Sequence, residues 1–178
     1  MIATNVYILG ASYPIAGEKP TVLQEISVKT KVLDWQLNSL EVIGNKRINF
    51  LGGYHIEDII NQYPEINYII VKNWKSNTVL NTFFQADFED TAAIFTYADT
   101  IFRQEIIKQL AASDADISVA IDLNYQHRYS SRSVQDLAIA EIITPDQGKF
   151  KGCAVEFTGL IHCKPHISKI ISRLNVQD

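Results

Sequence analysis

The chain has 178 residues, a length usual for one domain, so we expect a single compact core. Hydrophobic residues make up 47% of it and charged residues 20%, which is typical of globular proteins and excludes collagen-like, coiled-coil and disordered chains. Asp and Glu number 20 against 16 scattered Lys and Arg, giving a formal charge of -4. Nucleic acid is therefore not expected as a partner, because phosphate binding needs a basic surface.

The cysteines and the apolar runs both predict a cytoplasmic protein. Cys153 and Cys163 are too few for a disulfide framework and do not form a C-x-x-C pair. Met1 is followed by a mixed segment that lacks the basic and apolar regions of a signal peptide. The longest apolar runs, such as 68–71, are far shorter than the ~18 residues of a membrane span, so no membrane partner is expected.

The first strand and the first helix are predicted near the start of the sequence. Residues 5–9 form a short apolar run that ends at Gly10, and turn-forming residues follow as far as Gly17. A buried strand is therefore expected to enter a loop. From Thr30 onward, apolar residues recur every three or four positions. This spacing predicts a helix with Thr30 as its N-cap and Gly44 just beyond its end.

Strands and helices continue to alternate as far as residue 121. Strands are predicted at 48–51, 68–71, 92–97 and 117–121, and helices at 56–63, 77–86 and 104–112. Strands that alternate with helices of about ten residues are typical of βαβ units. We therefore expect a mainly parallel sheet with right-handed crossovers.

The last third of the chain has a different pattern. Two β-like runs, 137–143 and 153–161, are joined through the turn-forming residues 145–148. Consecutive strands of this kind predict an antiparallel or mixed edge of the sheet. A final helix is expected at 165–174.

These elements predict an α/β fold with a mixed, mainly parallel sheet flanked by helices, in the Rossmann-like class. In open sheets of this class, ligands bind beyond the carboxyl ends of the strands, where loops and helix N-termini converge. The positions of interest are therefore the loop after Leu9, the segment after Tyr97 and the acidic residue Asp122.

Several short motifs follow one another in a definite order. The first are Val6-Tyr-Ile-Leu-Gly-Ala11 at the predicted strand, Glu18-Lys-Pro-Thr-Val-Leu23 after the loop, and Phe95-Thr-Tyr-Ala-Asp-Thr-Ile-Phe102 at a later strand end. The others lie at 32–40, 53–59, 73–83, 116–122, 129–132 and 155–160. In this order the chain resembles nucleotidyltransferases, especially phosphocholine cytidylyltransferase-like domains and the nucleotidyltransferase domains fused to phosphoenolpyruvate phosphomutase.

The resemblance covers nearly the whole chain and implies the nucleotide-diphospho-sugar transferase-like fold. It implies one nucleotidyltransferase-like domain over 1–178 that lacks the family's C-terminal segment. It also implies a nucleoside triphosphate, with CTP favoured, as donor and a small phosphorylated or phosphonate acceptor. Mg²⁺ would be the cofactor. A homo-oligomer or a fusion to another domain is compatible with it.

The resemblance also implies site residues. The nucleotide-binding positions are Leu9, Gly10, Ala11, Gly53 and Asn77, the catalytic positions are Lys19 and Asp99, and Asp99 is also the metal ligand. For the acceptor we consider Arg132, because a guanidinium can clamp a phosphate, and Glu156, which could contact a cationic amine.

Two features depart from the family's pattern. The loop 10–17 contains no basic residue where the family has an Arg, and Thr21 replaces the second Lys of the signature. The sequence also ends at Asp178, before the family's second metal-binding Asp. The charge that develops on an α-phosphorus must be stabilised by Mg²⁺ and basic side chains. A catalytically inactive nucleotide- or partner-binding module of the same fold is therefore a second hypothesis.

Each candidate residue also has an ordinary structural interpretation. Asp99 could be the N-cap or first-turn acid of the next helix, and Lys19 a solvated loop lysine. Glu156 could lie on the solvated face of a strand, and Arg132 in a plain exposed loop. A nicotinamide oxidoreductase is disfavoured, because the loop after Leu9 lacks the G-x-G-x-x-G pattern. Zinc at 162–166 is disfavoured because four ligands are not available there.

Overall fold

A single large sheet forms the centre of the computed structural model, which describes residues 3–11, 18–76, 78–88, 90–138, 141–143 and 155–174. The strands are β1 (Thr4–Gly10), β2 (Glu25–Ser27), β3 (Thr30–Lys31), β4 (Lys46–Gly52), β5 (Asn67–Ile70), β6 (Ala93–Tyr97), β7 (Ile117–Asp122), β8 (Ile142–Ile143) and β9 (Val155–Cys163). The helices are α1 (Val32–Leu40), α2 (Ile56–Gln62), α3 (Val79–Phe83), α4 (Gln104–Ala111), α5 (Tyr125–Tyr129), α6 (Val134–Ala138) and α7 (Pro165–Leu174).

Most strands of the sheet run in one direction. The order across the sheet is β5-β4-β1-β6-β9-β7, and β8 pairs with β9 beyond the end of β6. β4 and β6 are parallel to β1, and β5 is parallel to β4. β9 is antiparallel to β6, β7 and β8, so it alone opposes the others within the described sheet. The prediction of a mixed, mainly parallel sheet is confirmed.

Helices cover both faces of the sheet, and the central strand β1 has apolar side chains on each face to pack against them. Val6 and Ile8 pack on the face that carries α1, α2 and α4. Tyr7 and Leu9 pack on the opposite face with α3 and α7. The rings of Tyr7 and Phe95 stack there at 5.0 Å. A strand with no polar alternation is the one expected at the centre of a sheet with helices on both sides.

The first and third helices begin later than predicted. Thr30 is not an N-cap, because it belongs to β3, and α1 begins at Val32 with Lys31 at its N-cap position. The backbone N–H of Lys31 donates to Asp34 Oδ2 at 2.8 Å, so a carboxylate in the first turn supports this helix start. α3 begins at Val79, where Thr78 Oγ1 accepts from Asn81 N at 3.1 Å.

The prediction of a strand over 137–143 was wrong for its first part. Residues 134–138 form α6, and the strand that the structure describes here is 142–143. The short helix α5 at 125–129 was not predicted. Short apolar runs fit either a strand or a helix segment, so local periodicity does not separate the two.

Candidate functional site at the carboxyl edge of the sheet

The carboxyl ends of β1, β6 and β7 lie along one edge of the sheet. Leu9 pairs in register with Tyr97, so Gly10 at the end of β1 and Asp99 just beyond β6 lie at this edge. Because β9 runs the other way, its first residues lie here as well, and Glu156 pairs with Asp122. The topology therefore gathers the predicted positions Gly10, Asp99 and Glu156 at a common edge.

A cavity of about 220 Å³ opens where β1 and β6 end. It is lined by Leu9, Ala11, Thr21, Thr78, Val79, Thr82, Tyr97, Ala98 and Asp99. Three of the residues predicted from the sequence, Leu9, Ala11 and Asp99, are thus together in one cavity. We refer to it as the β1 cavity. Asn77, also predicted here, lies outside the described residues, although its neighbour Thr78 lines the cavity.

A larger cavity of about 760 Å³ adjoins the Asp99 turn on its other side, between β6, β7 and β9. Its lining includes the predicted residues Asp99, Arg132 and Glu156. Its other charged residues are Asp122, Arg128 and Glu141, and the hydroxyl groups of Tyr97, Thr100, Tyr129 and Thr158 also belong to the lining. We refer to it as the β9 cavity. Asp99 lines both cavities, so it stands at their common boundary.

Asp99 is an exposed residue on a turn that is tied to the sheet and to α1. Ala98 N donates to Leu9 O at 3.1 Å, and Gln36 Nε2 donates to the carbonyls of Tyr97 and Thr100. α4 begins at Gln104 with Arg103 at its N-cap position, so Asp99 does not cap that helix. No cation of the described chain lies within ion-pair distance of Asp99. Its carboxylate is available to a ligand.

Glu156 is buried, with 6% of its surface exposed, so the interpretation as a solvated strand residue is wrong. Its two carboxylate oxygens accept hydrogen bonds from Arg128 Nη2 and from Tyr129 Oη, the latter at 2.6 Å. Arg128 Nε also donates to Asp122 Oδ2 at 3.0 Å. Arg128 thus joins the end of β7 to the start of β9. Glu156 thus holds protein groups in place, because each of its oxygens accepts a hydrogen bond from Arg128 or Tyr129.

Arg132 is exposed, and it shares the Tyr129 ring with Arg128, whose guanidinium carbon lies 5.4 Å from the ring centroid. The Arg132 guanidinium lies over the Tyr129 ring, 5.0 Å from the centroid, and no ion pair joins it to a carboxylate of the described residues. The Tyr129 hydroxyl is bound to Glu156, which fixes the ring beneath the guanidinium. A guanidinium that lies over an aromatic ring retains its N–H groups for an anion.

Tyr97 is a component of the site that sequence reasoning did not identify. Its hydroxyl donates to the Glu141 carboxylate at 3.0 and 3.1 Å. Burial first, and then the bond to Glu141, raise the pKa of Tyr97, so it remains a neutral donor. Gly159 in β9, at φ 75°, leaves room for the ring, since a Cβ there would lie 2.4 Å from Tyr97 Cδ2. The motif 155–160 contained that glycine, but no local signal linked it to Tyr97.

Lys19 lies away from Asp99. It lines a separate cavity of about 640 Å³ together with Lys31, Asp58 and Gln62. Neither of the two cavities that Asp99 lines includes Lys19. The structure therefore does not bring the two predicted catalytic residues into a common cavity.

The predicted glycines are in close contact with aromatic rings. A Cβ on Gly10 would lie 2.3 Å from Phe50 Cζ, and one on Gly53 would lie 2.2 Å from Trp74 Cδ1. Gly52, which pairs with Gly10, also approaches the Phe50 ring. Packing at the strand ends thus accounts for these glycines.

The exposed Asp99 carboxylate is available here for a metal ion. Among the residues that the structure describes, no three His, Cys, Asp or Glu side chains form a metal-binding group. Mg²⁺ usually takes only one or two carboxylates and fills its remaining positions with phosphate oxygens and water. The exposed Asp99 carboxylate can supply one such ligand to Mg²⁺. Asp122 is less suitable, because Arg128 Nε and the Asn124 backbone N–H occupy its oxygens.

Two solved structures have a similar fold. The chain superposes on a Bacillus anthracis protein assigned as a glucose-1-phosphate thymidylyltransferase, which was solved in complex with a sucrose. The TM-score is 0.61 at 14% sequence identity, and the superposition covers 99% of this chain and 76% of that one. The inositol-1-phosphate CTP transferase of T. maritima gives a TM-score of 0.58 and 15% identity, with coverage of 93% and 72%. At these identities the likeness establishes the nucleotide-diphospho-sugar transferase-like fold and nothing beyond it.

Comparison by sequence with family models and with curated proteins gives no match. Among the described residues, no helix is both long and apolar enough to cross a membrane.

Proposed function

We propose that this chain is a nucleotidyltransferase that binds a nucleoside triphosphate, with CTP favoured, and transfers its nucleotidyl group to a small phosphorylated or phosphonate acceptor. One observation carries the proposal: the exposed Asp99 carboxylate lines two cavities at the carboxyl edge of the sheet. Transfer between two substrates requires such a boundary, because the reacting atoms must approach each other. The fold shared with a thymidylyltransferase and a CTP transferase supports the proposal, and the motif order favours CTP.

The β1 cavity is the proposed donor site. At about 220 Å³ it is smaller than the ~300–1,000 Å³ pockets that enclose whole ligands, so base and ribose would occupy it and the phosphates would extend toward Asp99. Leu9 and Ala11, which line this cavity, are the proposed contacts to the nucleotide. Gly10, Gly53 and Asn77 stay proposed nucleotide-binding positions, although none of them belongs to the described lining. Asp99 is the carboxylate that would hold Mg²⁺, which when bound neutralises phosphate charge.

The β9 cavity is the proposed acceptor site. Arg132 would bind the acceptor's phosphate or phosphonate through its guanidinium N–H groups. Glu156 and Arg128 would act indirectly, by fixing Tyr129 and the cavity wall. An acceptor oxygen would attack the α-phosphorus of the donor and form a new P–O bond, while the bond to pyrophosphate breaks and pyrophosphate leaves. Arg132 would orient the attacking oxygen.

Calorimetric titration with CTP, UTP, ATP and GTP, with and without Mg²⁺, tests the donor site. We expect CTP to bind best and only with Mg²⁺. Asp99→Asn should weaken Mg·CTP binding at least tenfold, about 1.4 kcal/mol, because the amide keeps the shape and removes the charge that a hard cation requires. Equal Mg·CTP affinity of both proteins would remove Asp99 from the site.

A matched control is Asp114→Asn. Asp114 is also exposed, but it precedes β7 and therefore lies at the opposite edge of the sheet. This variant loses the same charge and should bind Mg·CTP as the wild type does. A similar loss of affinity in both variants would mean that overall charge, and not the Asp99 position, governs binding.

A catalytically inactive binding module is the second candidate, and the lining of the β1 cavity favours it. None of the described residues that line this cavity is cationic, and residues 12–17, which lie outside the described ranges, include no Lys or Arg in the sequence. Thr21 stands where the family has a lysine, and Lys19 lines a different cavity. Each lost cationic contact costs roughly 10²–10³ in rate, so a nucleotide could bind and turn over very slowly.

Pyrophosphate release distinguishes the two candidates. Each triphosphate is assayed with phosphocholine, aminoethylphosphonate and sugar phosphates as acceptors. If only the missing cation limits catalysis, Thr21→Lys, which adds an amine to the lining, should raise the rate at least tenfold. Turnover by the wild type at an ordinary enzyme rate, roughly 1–10³ s⁻¹, would refute the inactive-module hypothesis.

A further inference from the structure

Gln36 of α1 is completely buried, with 0% of its surface exposed, and lies against the turn that carries Asp99. Its Nε2 donates to Tyr97 O at 2.9 Å and to Thr100 O at 2.7 Å. These carbonyls lie on either side of Ala98 and Asp99, and Thr100 N donates back to Tyr97 O at 3.3 Å. The two N–H groups of one side-chain amide thus hold both ends of the turn.

The orientation of the Gln36 amide follows from its partners. A flipped amide would direct Oε1 at two carbonyl oxygens, which repel it, so only the observed orientation forms hydrogen bonds. In this orientation Oε1 is buried and has no partner among the described residues. The cost of an unpaired buried acceptor offsets much of what the two hydrogen bonds contribute. Gln36 therefore adds little to the stability of the fold, and its main effect is on the geometry of the turn.

The rest of the segment 97–102 is fixed by other groups. Trp35 Nε1 and Ser39 Oγ, both on α1, donate to Phe102 O at 2.7 and 2.8 Å. Thr100 Oγ1 donates to Thr158 O of β9 at 3.0 Å. Phe102 and the Thr100 side chain are thus held independently of Gln36, whereas the Gln36 amide joins the two backbone carbonyls that flank Ala98 and Asp99.

We infer that Gln36 is a positioning residue, which holds the Asp99 turn so that the carboxylate faces both cavities. This inference rests on the proposed function, because it takes Asp99 as the group that binds the metal-nucleotide complex. Gln36 itself lines neither cavity and acts only through the turn. The sequence contains no local signal for this role, since Gln36 is an interior residue of a helix far from Asp99 along the chain.

A double-mutant cycle tests whether Gln36 acts through Asp99. Gln36→Met keeps the length of the side chain and removes both donors. It should lower Mg·CTP affinity about tenfold in the wild-type background and leave affinity unchanged in the Asp99→Asn background. The melting temperature should change by only about 2 °C. An equal loss of affinity in both backgrounds would overturn the inference.

Ser39→Ala is the matched control. It also removes a buried hydrogen bond between α1 and the segment 97–102, but Phe102 O keeps its bond from Trp35 Nε1. This variant should bind Mg·CTP as the wild type does. If it loses as much affinity as Gln36→Met, general loosening of α1 explains the effect and the specific role of Gln36 is refuted.

Amide hydrogen exchange without ligand separates failure of this inference from failure of the proposed function. Gln36→Met should accelerate exchange at Thr100 N about tenfold, and Ser39→Ala should not. If the wild type binds no triphosphate with Mg²⁺, the proposed function fails while the exchange data still decide whether Gln36 fixes the turn. Unchanged exchange in Gln36→Met would overturn the inference whatever the binding result.

Discussion

At the scale of single residues, small side chains at the strand ends are explained by their aromatic neighbours. Gly10 and Gly52 are paired across β1 and β4, and both approach the ring of Phe50. Phe50 is buried between α1, α2 and the sheet, so its ring has little freedom to move. A side chain at Gly10 would therefore displace part of the core next to the β1 cavity.

Gly10→Ala should destabilise the protein by about 1–3 kcal/mol, because the new methyl group overlaps the Phe50 ring. Urea unfolding measures the loss. Gly44→Ala is the control, since a Cβ there meets nothing within 4 Å, and its effect should stay within about 0.5 kcal/mol. Adding Phe50→Leu to Gly10→Ala should recover part of the loss. Equal stability of the two alanine variants would show that the ring moves aside without cost.

The buried carboxylate of Glu156 gives a second prediction at this scale. Glu156→Leu would remove the partner of Tyr129 Oη and one partner of Arg128, whose side chain is 47% exposed and can still reach water and Asp122. We expect a loss of about 1–3 kcal/mol in unfolding free energy. Glu41→Gln disrupts the ion pair with Lys46, in which the glutamate is exposed, and should cost less than about 1 kcal/mol. If Glu156→Leu loses no more unfolding free energy than Glu41→Gln, Glu156 does not have the structural role assigned to it.

At the scale of secondary-structure elements, α1 serves two purposes. Leu33 and Leu40 pack in the core, while Trp35, Gln36 and Ser39 on other positions of the helix bind the backbone of 97–102. Packing fixes where the helix lies on the sheet. Since the same helix carries the donors, packing also determines where the Asp99 turn is held.

α4 follows that turn and is anchored by one apolar face. Ile107 is completely buried, whereas Ile106, beside it on the chain, is 37% exposed. Ile107→Ala should lower the unfolding free energy by about 2–5 kcal/mol, because it removes buried surface and leaves a cavity. Ile106→Ala should cost clearly less, about 1 kcal/mol. Similar losses in urea unfolding would mean that the assigned face of α4 is incorrect.

At the scale of the whole molecule, the stability should depend on pH through His162. It lies in β9 between Ile94 of β6 and Ser118 of β7, and it is buried with Nδ1 unpartnered within the described structure. Burial first, and then nearby Lys164, lower its pKa from the ordinary value of 6.5. Well above pH 6.5 both the folded and unfolded states hold a neutral imidazole, so this site imposes no penalty.

Below pH 6.5 the unfolded state takes up a proton more readily than the folded state, so stability should fall as pH decreases. The decline ends only below the lowered pKa of the folded state. His162→Leu should reduce the pH dependence of the urea midpoint between about pH 6.5 and 5. His127→Gln, which removes an exposed imidazole, serves as the control and should follow the wild type. If the urea midpoint of His162→Leu depends on pH as strongly as that of the wild type, His162 does not contribute to the pH dependence of stability.

Local patterns in the sequence determined the class of the fold. The apolar run at 5–9, the helical spacing after Thr30 and the later alternation predicted β1, α1 and a mainly parallel sheet. They did so because the burial of one or both faces of a helix or strand sets the spacing of apolar residues along it. The position of Asp99 directly after a buried strand likewise indicated a site at the carboxyl edge.

Only the tertiary structure decided which groups share that edge. The antiparallel insertion of β9 brings Glu156 opposite Asp122, and the packing of α1 sets Gln36 against the Asp99 turn. It also assigns Lys19 to a different cavity from Asp99. Such contacts join residues distant in sequence through strand order and helix packing. The period of a single element contains no information about its partners, so these contacts could not be predicted from it.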